Sequence, residues 1–400
     1  MSIQETVIDV PAAEPGTPGP PCAYARLRAD RPIARVRMPR GETAWLLTRY
    51  EDVRAALADP RLVRPLISDW PPNPHTTRRS DRRVRTLLEM TGERHAHVRR
   101  VIAPLFSPRR VAALAPRVRA RADRLVDTLT AAGPPGDLVA GFAAPLPLMV
   151  LCDVVGFPYE ERERYLPLTD AVLRATALPL DDVLAALADL QDYVTELIER
   201  RRAEPRDDLI SELLTGVGTP GGLTGEELVS FAASMLMAGY KTNIQHFGNA
   251  LLTLLADPRL PRRLRQAPDA LPAAVEELLR HVPLMNAIVV TVATEDLTLC
   301  GQRIRAGEAV LPVIASANRD GAVFPDADRF DLARAPNPHL AFGHGAHYCP
   351  GGHLTRLQLR VGLETLLRRL PRLELAVPAD TLGWDEENPL RAPLTLPARW

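Results

Sequence analysis

Apolar positions along this chain recur mostly at helical spacing. Four runs carry that period through the middle of the sequence: Pro108–Leu129, Ala143–Val155, Glu160–Ala175 and Val183–Arg202. Breaks at Gly133-Pro134-Pro135-Gly136, Gly156-Phe157-Pro158 and Pro179 separate them. A longer run, roughly Gly225 to Leu255, opens on the capping box Thr224-x-x-Glu227. It is apolar almost all round from Leu228 to Tyr240, which predicts a helix crossing the core. Ala238-Gly239-Tyr240-Lys241-Thr242-Asn243 interrupts it. A glycine weakens a buried helix and a threonine can bond the carbonyl one turn back, so a local groove is expected there. A last helical run covers Leu354–Leu370.

Strand patterns are short. Ala34–Met38 and Ala44–Thr48 flank a turn at Pro39-Arg40-Gly41, Pro283–Val292 is an apolar strand-like run, and Asn388–Trp400 reads as a closing hairpin. A helix is predicted from Tyr50 to Leu57, stopping at Pro60. Residues 1–21, with Pro11, Pro15, Pro18, Pro20 and Pro21, read as a tail with little helix or strand potential. Residues 60–90 read as an irregular surface loop holding Arg78, Arg79, Arg82 and Arg83. The pattern predicts mainly α structure with small β-sheets, over a length that fits one large domain or two smaller ones.

Composition narrows the function classes. Apolar residues make up 46% of 400, enough for a large core, and the formal net charge of +0 argues against a nucleic-acid partner. Cys22, Cys152, Cys300 and Cys349 are far apart, which is no disulfide framework and fits a reducing cytoplasm. The N-terminus lacks a signal-peptide pattern and no run of apolar residues is long enough to span a bilayer, so no membrane association is expected. Of the 49 Lys and Arg residues only Lys241 is lysine, a bias expected of a GC-rich, actinomycete-like genome.

Candidate chemistry concentrates in Phe342-Gly343-His344-Gly345-Ala346-His347-Tyr348-Cys349-Pro350-Gly351-Gly352. Its glycines let backbone approach a flat group closely. Pro350 suits a first helical position, and a cysteine there faces the positive end of the helix dipole, which favours thiolate. A lone thiolate on such a loop is one way to hold haem iron. His344, His347, Cys349 and His353 also have zinc-like spacing, although structural zinc sites usually draw on two or more cysteines.

Phe342-x-x-Gly345-x-x-x-Cys349-x-Gly351 resembles the haem-binding signature of the cytochrome P450 superfamily. Four further segments in the right order are similar to that family, and zinc explains none of them. The resemblance implies the P450 fold, a triangular helical prism around a buried haem b (iron protoporphyrin IX), with Cys349 as axial ligand. It places Phe342, Gly343 and Gly351 at the haem. It gives His95, Arg99 and His347 the haem propionates. Ala238, Gly239 and Thr242 match the oxygen-binding motif of the central helix. Lys241 stands where that motif has an acid, and Asn243 where it has threonine or serine. Glu277, Arg280 and Arg329 resemble the family's buried structural triad. At Thr291 the family usually has a propionate-binding arginine. Pocket walls are expected from Leu236, Met237, Tyr240, Leu284, Asn286, Ile288 and Val289.

The implied activity is a haem-thiolate monooxygenase that inserts oxygen from O2 into a medium-sized lipophilic metabolite, as in secondary-metabolite or antibiotic tailoring. Its implied partners are a ferredoxin and an NAD(P)H-dependent ferredoxin reductase, since the chain shows no flavin or iron–sulfur motif. Lys241 motivates two rival readings. One is atypical oxidative coupling, cyclisation or peroxide-driven oxidation. The other is a non-catalytic homologue that binds a ligand or carrier.

Overall fold

The computed structural model describes residues 7–12, 19–38, 41–65, 85–173, 178–282, 289–384 and 390–400. The helices are α1 (Ala23–Asp30), α2 (Tyr50–Ala58), α3 (Gly92–Ile102), α4 (Pro108–Ala113), α5 (Ala115–Ala132), α6 (Pro145–Val155), α7 (Arg162–Leu173) and α8 (Leu180–Ala203). They continue with α9 (Leu209–Leu214), α10 (Gly225–Gly239), α11 (Lys241–Ala256), α12 (Arg259–Gln266), α13 (Leu271–His281), α14 (Ile314–Ala317) and α15 (Gly352–Arg369). The strands are β1 (Ile8–Asp9), β2 (Ile33–Arg37), β3 (Thr43–Leu47), β4 (Leu62–Val63), β5 (Gly136–Asp137), β6 (Thr291–Ala293), β7 (Leu297–Leu299), β8 (Gln302–Ile304), β9 (Ala309–Pro312), β10 (Glu374–Leu375) and β11 (Pro397–Arg399). The chain is thus mainly α with small sheets, and no helix among the described residues is long and apolar enough to cross a membrane.

Backbone contacts group the chain into two compact units. The first comprises Met1–Pro65, Leu252–Cys349 and Pro378–Pro393. Its mixed sheet has the order β1-β2-β3-β9-β6-β4. The β2–β3 hairpin forms as the alternation predicts, with Ala34 opposite Leu46 and Val36 opposite Ala44. The tail departs from expectation: Ile8 and Asp9 pair in parallel with Val36 and Arg37. An open sheet edge recruits backbone, so the tail needed no strand-forming composition to add there. One face of the sheet packs with α2 around Trp45, Leu47, Tyr50, Val53, Phe324 and Leu340, all buried.

The second unit comprises Leu66–Leu251, Pro350–Val377 and Leu394–Trp400. Its core is built from α6, α8 and α10, with Leu151, Leu190, Val194, Phe231 and Leu236 buried among others. The long run from Pro108 splits at Leu114, because Pro116 sits in the first turn of α5 and cannot donate to an earlier carbonyl. Gly362 lets α15 lie against Phe247, whose ring would stand 2.7 Å from any Cβ at that position. The expected closing hairpin does not form as read. The last strand, β11, instead lies between β10 and β5, with Leu375 opposite Ala398 and Ala398 opposite Gly136. Asp137 fixes this junction by accepting from the Leu396 and Val139 amides at 2.7 and 2.9 Å. The only trace of hairpin pairing among the described residues is a bridge between Trp384 and Pro393.

Candidate active site

The cysteine loop belongs to the first unit and is closed by backbone bonds. The Gly343 amide donates to Leu340 O (2.8 Å), Tyr348 to Gly345 O (3.1 Å) and Cys349 to Phe342 O (2.8 Å). Gly343 and Gly345 both adopt left-handed backbone, φ +75° and +73°. Gly345 is also a close-approach position, since a Cβ there would lie 2.7 Å from Leu57 O at the end of α2. A Cβ at Gly343 would meet only His347 O, at 3.8 Å, so the space beside it is open. Phe342 is buried, while His347 and Cys349 are half-buried. Helix α15 starts at Gly352 with Gly351 as its cap, so Pro350 lies in the preceding turn and not in the first helical position. Gly351 has φ −79° and ψ 3°, and Thr355 donates back to its carbonyl at 2.9 Å.

The same unit holds a charge cluster centred on a fully buried ion pair. Arg280 donates from Nε and Nη2 to the two Glu277 oxygens at 2.7 and 2.8 Å, and both side chains are wholly buried. The third guanidinium is not the expected one. Arg334, on the short segment after Asp331, donates from Nε to both Glu277 oxygens at 3.1 Å. Arg329 is exposed and contributes only its carbonyl, which accepts from Arg280 and Arg334. Two cations and the Asp331 amide therefore satisfy one buried carboxylate, the condition under which a buried ion is tolerated. The cluster reaches the cysteine loop through Asn337, which donates to Glu277, and Asn318, whose side chain accepts from the Leu340 amide at 2.8 Å.

The second unit carries the other candidates. On α3, His95 is buried and Arg99 half-buried, on one face as their spacing requires. The other face docks on the start of α10: Arg94 Nε donates to Glu227 at 3.3 Å and His97 bonds Gly222 O at 3.0 Å. Glu227 completes the predicted capping box with Thr224.

The interruption in the central run is a true helix break at Tyr240, between α10 and α11. Thr242 Oγ1 donates to Ala238 O and Asn243 Nδ2 to Gly239 O, both at 2.6 Å. Side chains thus take carbonyls that amides would bond in a regular helix. Ala238, Gly239, Lys241 and Thr242 are half-buried in an otherwise buried stretch. A Cβ at Gly239 would stand 2.9 Å from Leu151, so this glycine also lets α10 pack on α6.

Three of the expected pocket residues lie in the core cluster of the second unit. Leu236 has no accessible surface, and Met237 and Tyr240 are also buried in the core. At 100° per residue these three share the face opposite Ala238 and Thr242. The Tyr240 hydroxyl donates to Asp170 Oδ1 at 2.7 Å, and its pKa is raised by burial and by that carboxylate. Val289 is buried, while Leu284, Asn286 and Ile288 lie outside the described residues, as does most of the 60–90 loop. Arg334 and Asp170 were not singled out from sequence. Arg334 follows Phe330-Asp331 at a spacing no simpler to read than that of Arg329, and nothing local marks Asp170. Among the described residues no three His, Cys, Asp or Glu side chains gather to hold a metal, so the zinc spacing around Cys349 builds no site.

The cytochrome P450 family model matches residues 166–378. Mycinamicin IV hydroxylase/epoxidase of Micromonospora griseorubida is 42% identical over 94% of both chains. Nocardicin C N-oxygenase of Nocardia uniformis subsp. tsuyamanensis is 41% identical, again over 94% of each. The chain belongs to the cytochrome P450 family. A solved structure of the mixed-function P450 MycG superposes with a TM-score of 0.85 at 40% identity, covering 99% of this chain and 100% of that one. The protein is therefore a monooxygenase with the P450 fold, and its family brings haem, an organic substrate and redox partners. The cysteine loop of this P450 fits such a group: a half-buried thiol ends a glycine loop with open space beside Gly343, and His347 on the same loop is a basic side chain suited to a carboxylate.

Proposed function

We propose that this P450 is a haem b–thiolate monooxygenase in which Cys349 is the axial ligand and residues 22–400 act as one catalytic domain. The reading is carried by Cys349 itself, whose backbone N–H donates a hydrogen bond to Phe342 O at the end of a loop with two left-handed glycines. When bound, thiolate-ligated haem supplies activation of O2 by two electrons. His95, Arg99 and His347 would hold the propionate carboxylates by charge-assisted bonds. Thr242 donates its proton to Ala238 O, which leaves the Oγ1 lone pairs to accept from a proton donor at the helix break. The Glu277–Arg280–Arg334 cluster keeps the cysteine loop in place and takes no part in the chemistry.

Electrons would come from a ferredoxin and its NAD(P)H-dependent reductase in the cytoplasm. The substrate would be a medium-sized lipophilic secondary metabolite, a reading supported by relatives named for mycinamicin and nocardicin oxidation. In this reading Ala238 and Val289 replace Leu236, Met237 and Tyr240 as wall residues. The test is the reduced, carbon-monoxide-bound spectrum. A red-shifted Soret band that disappears in Cys349→Ala is expected; a histidine-type carbonyl spectrum in the unaltered protein would overturn the assignment.

A further inference from the structure

Strands β4 and β6 pair antiparallel, with Leu62 opposite Ala293 and Val63 opposite Val292. The Arg61 carbonyl accepts from the Thr294 amide at 2.9 Å and from its hydroxyl at 3.1 Å, which pins the same register at the near end. Carried one residue past the end of β4, the same register would set Arg64 across from Thr291. Directly opposed residues in an antiparallel pair project to the same face with their Cβ atoms roughly 5 Å apart. Thr291 is the position at which the resemblance leads one to expect a propionate-binding arginine. Here it is a buried threonine whose hydroxyl donates to Val310 O at 3.1 Å, so it brings no charge.

Arg64 is placed unusually for an arginine. No carboxylate, carbonyl or ring among the described residues pairs with it. Desolvation by burial lowers its pKa, with no anion to offset the effect. It nevertheless retains some accessible surface, the combination found at the wall of an internal space. A buried, unpaired guanidinium is costly, and a planar fork of donors suits a carboxylate better than any other common partner. In the same unit, Arg35, Arg61 and Arg280 each meet a carboxylate at 2.7 Å.

We infer that Arg64 is a haem-propionate ligand, supplying from the residue just after β4 the cation that Thr291 does not supply from β6. This rests on the haem assignment above, and concerns which strand contributes the charge. Moving an arginine one rung across an antiparallel pair leaves the donor on the same face, so the binding function survives while the sequence motif is lost.

The test is haem retention in the intact holoprotein, read by transfer to excess apomyoglobin. Arg64→Gln is expected to speed transfer about ten-fold or more, the loss of one charge-assisted bond, and to lower the haem reduction potential by removing a positive charge. Arg64→Lys should fall between. Arg64→Gln combined with Thr291→Arg, which returns the cation to β6, should restore slow transfer. If Arg64→Gln folds, gives the thiolate-type carbonyl spectrum and releases haem at the unaltered rate, the inference is overturned, even where substrate affinity changes. A combined variant that does not slow transfer relative to Arg64→Gln counts equally against it. A histidine-type spectrum in the unaltered protein would instead overturn the haem-thiolate assignment, so the two failures are distinguishable.

Discussion

The Lys241 ammonium lies 3.2 Å from Asp170 Oδ1, the oxygen that also accepts the Tyr240 hydroxyl at 2.7 Å. The only lysine of the chain thus stands at the break between α10 and α11 and is paired with a carboxylate on α7. The pair is partly exposed, so its worth in stability is small, on the order of 1 kcal/mol or less. Its interest is chemical: where the family places an acid before the threonine, this P450 has a cation with an acid behind it.

Replacing Lys241 with Asp or Glu is expected to change the yield of product per NAD(P)H and the hydrogen peroxide released. Arginine has a fixed charge and a different donor geometry, so Lys241→Arg should impair the yield. Asp170→Asn should shift both readouts as well, because it strips the ammonium of its counter-charge. Unchanged product and peroxide in all four variants would make Lys241 a bystander.

Arg334 and Arg329 should separate cleanly in unfolding. Arg334→Ala leaves the buried Glu277 carboxylate with one cation instead of two, a loss of about 3–5 kcal/mol. Arg329→Ala removes an exposed side chain and should stay within about 0.5 kcal/mol. Urea titrations of both variants measure the difference; equal losses would return Arg329 to the cluster.

His281 predicts a pH dependence. Burial, with Arg319, Arg280 and Arg334 nearby, pushes its pKa down to about 2. The unfolded chain takes up this proton near pH ~6.5 and the folded chain does not. Below that pH the unfolded state binds more protons, so stability falls as pH falls, by about 1.4 kcal/mol per unit from this one group. His281→Asn should flatten the decline between about pH 6.5 and 4.5. Melting profiles across that window check it, and parallel slopes for the two proteins would refute it.

Pro350 follows the proposed ligand and has no N–H to give its sulfur. Family members use amides just after the cysteine to drain charge from the thiolate. Pro350→Leu is therefore expected to raise the haem reduction potential with the fold retained. Spectroelectrochemical titration measures this, and an unchanged or lower potential counts against a missing bond.

The sequence alone determined most helices, because their apolar period, proline stops and the Thr224–Glu227 box are local properties of the chain. It determined the cysteine loop for the same reason: φ near +75° at Gly343 and Gly345 is a demand made residue by residue. It also pointed to the break at Tyr240, where Thr242 and Asn243 bond their own helix. What only tertiary structure decided are choices between chemically equal candidates. Arg334 rather than Arg329 meets Glu277, Asp170 rather than another acid meets Lys241, and β11 joins β10 and β5 rather than a hairpin partner. The register that sets Val63 opposite Val292 is of the same kind, since it depends on two segments far apart in the chain. In each case the side chain carries the chemistry, but its partner is set by long-range packing, which no local period encodes.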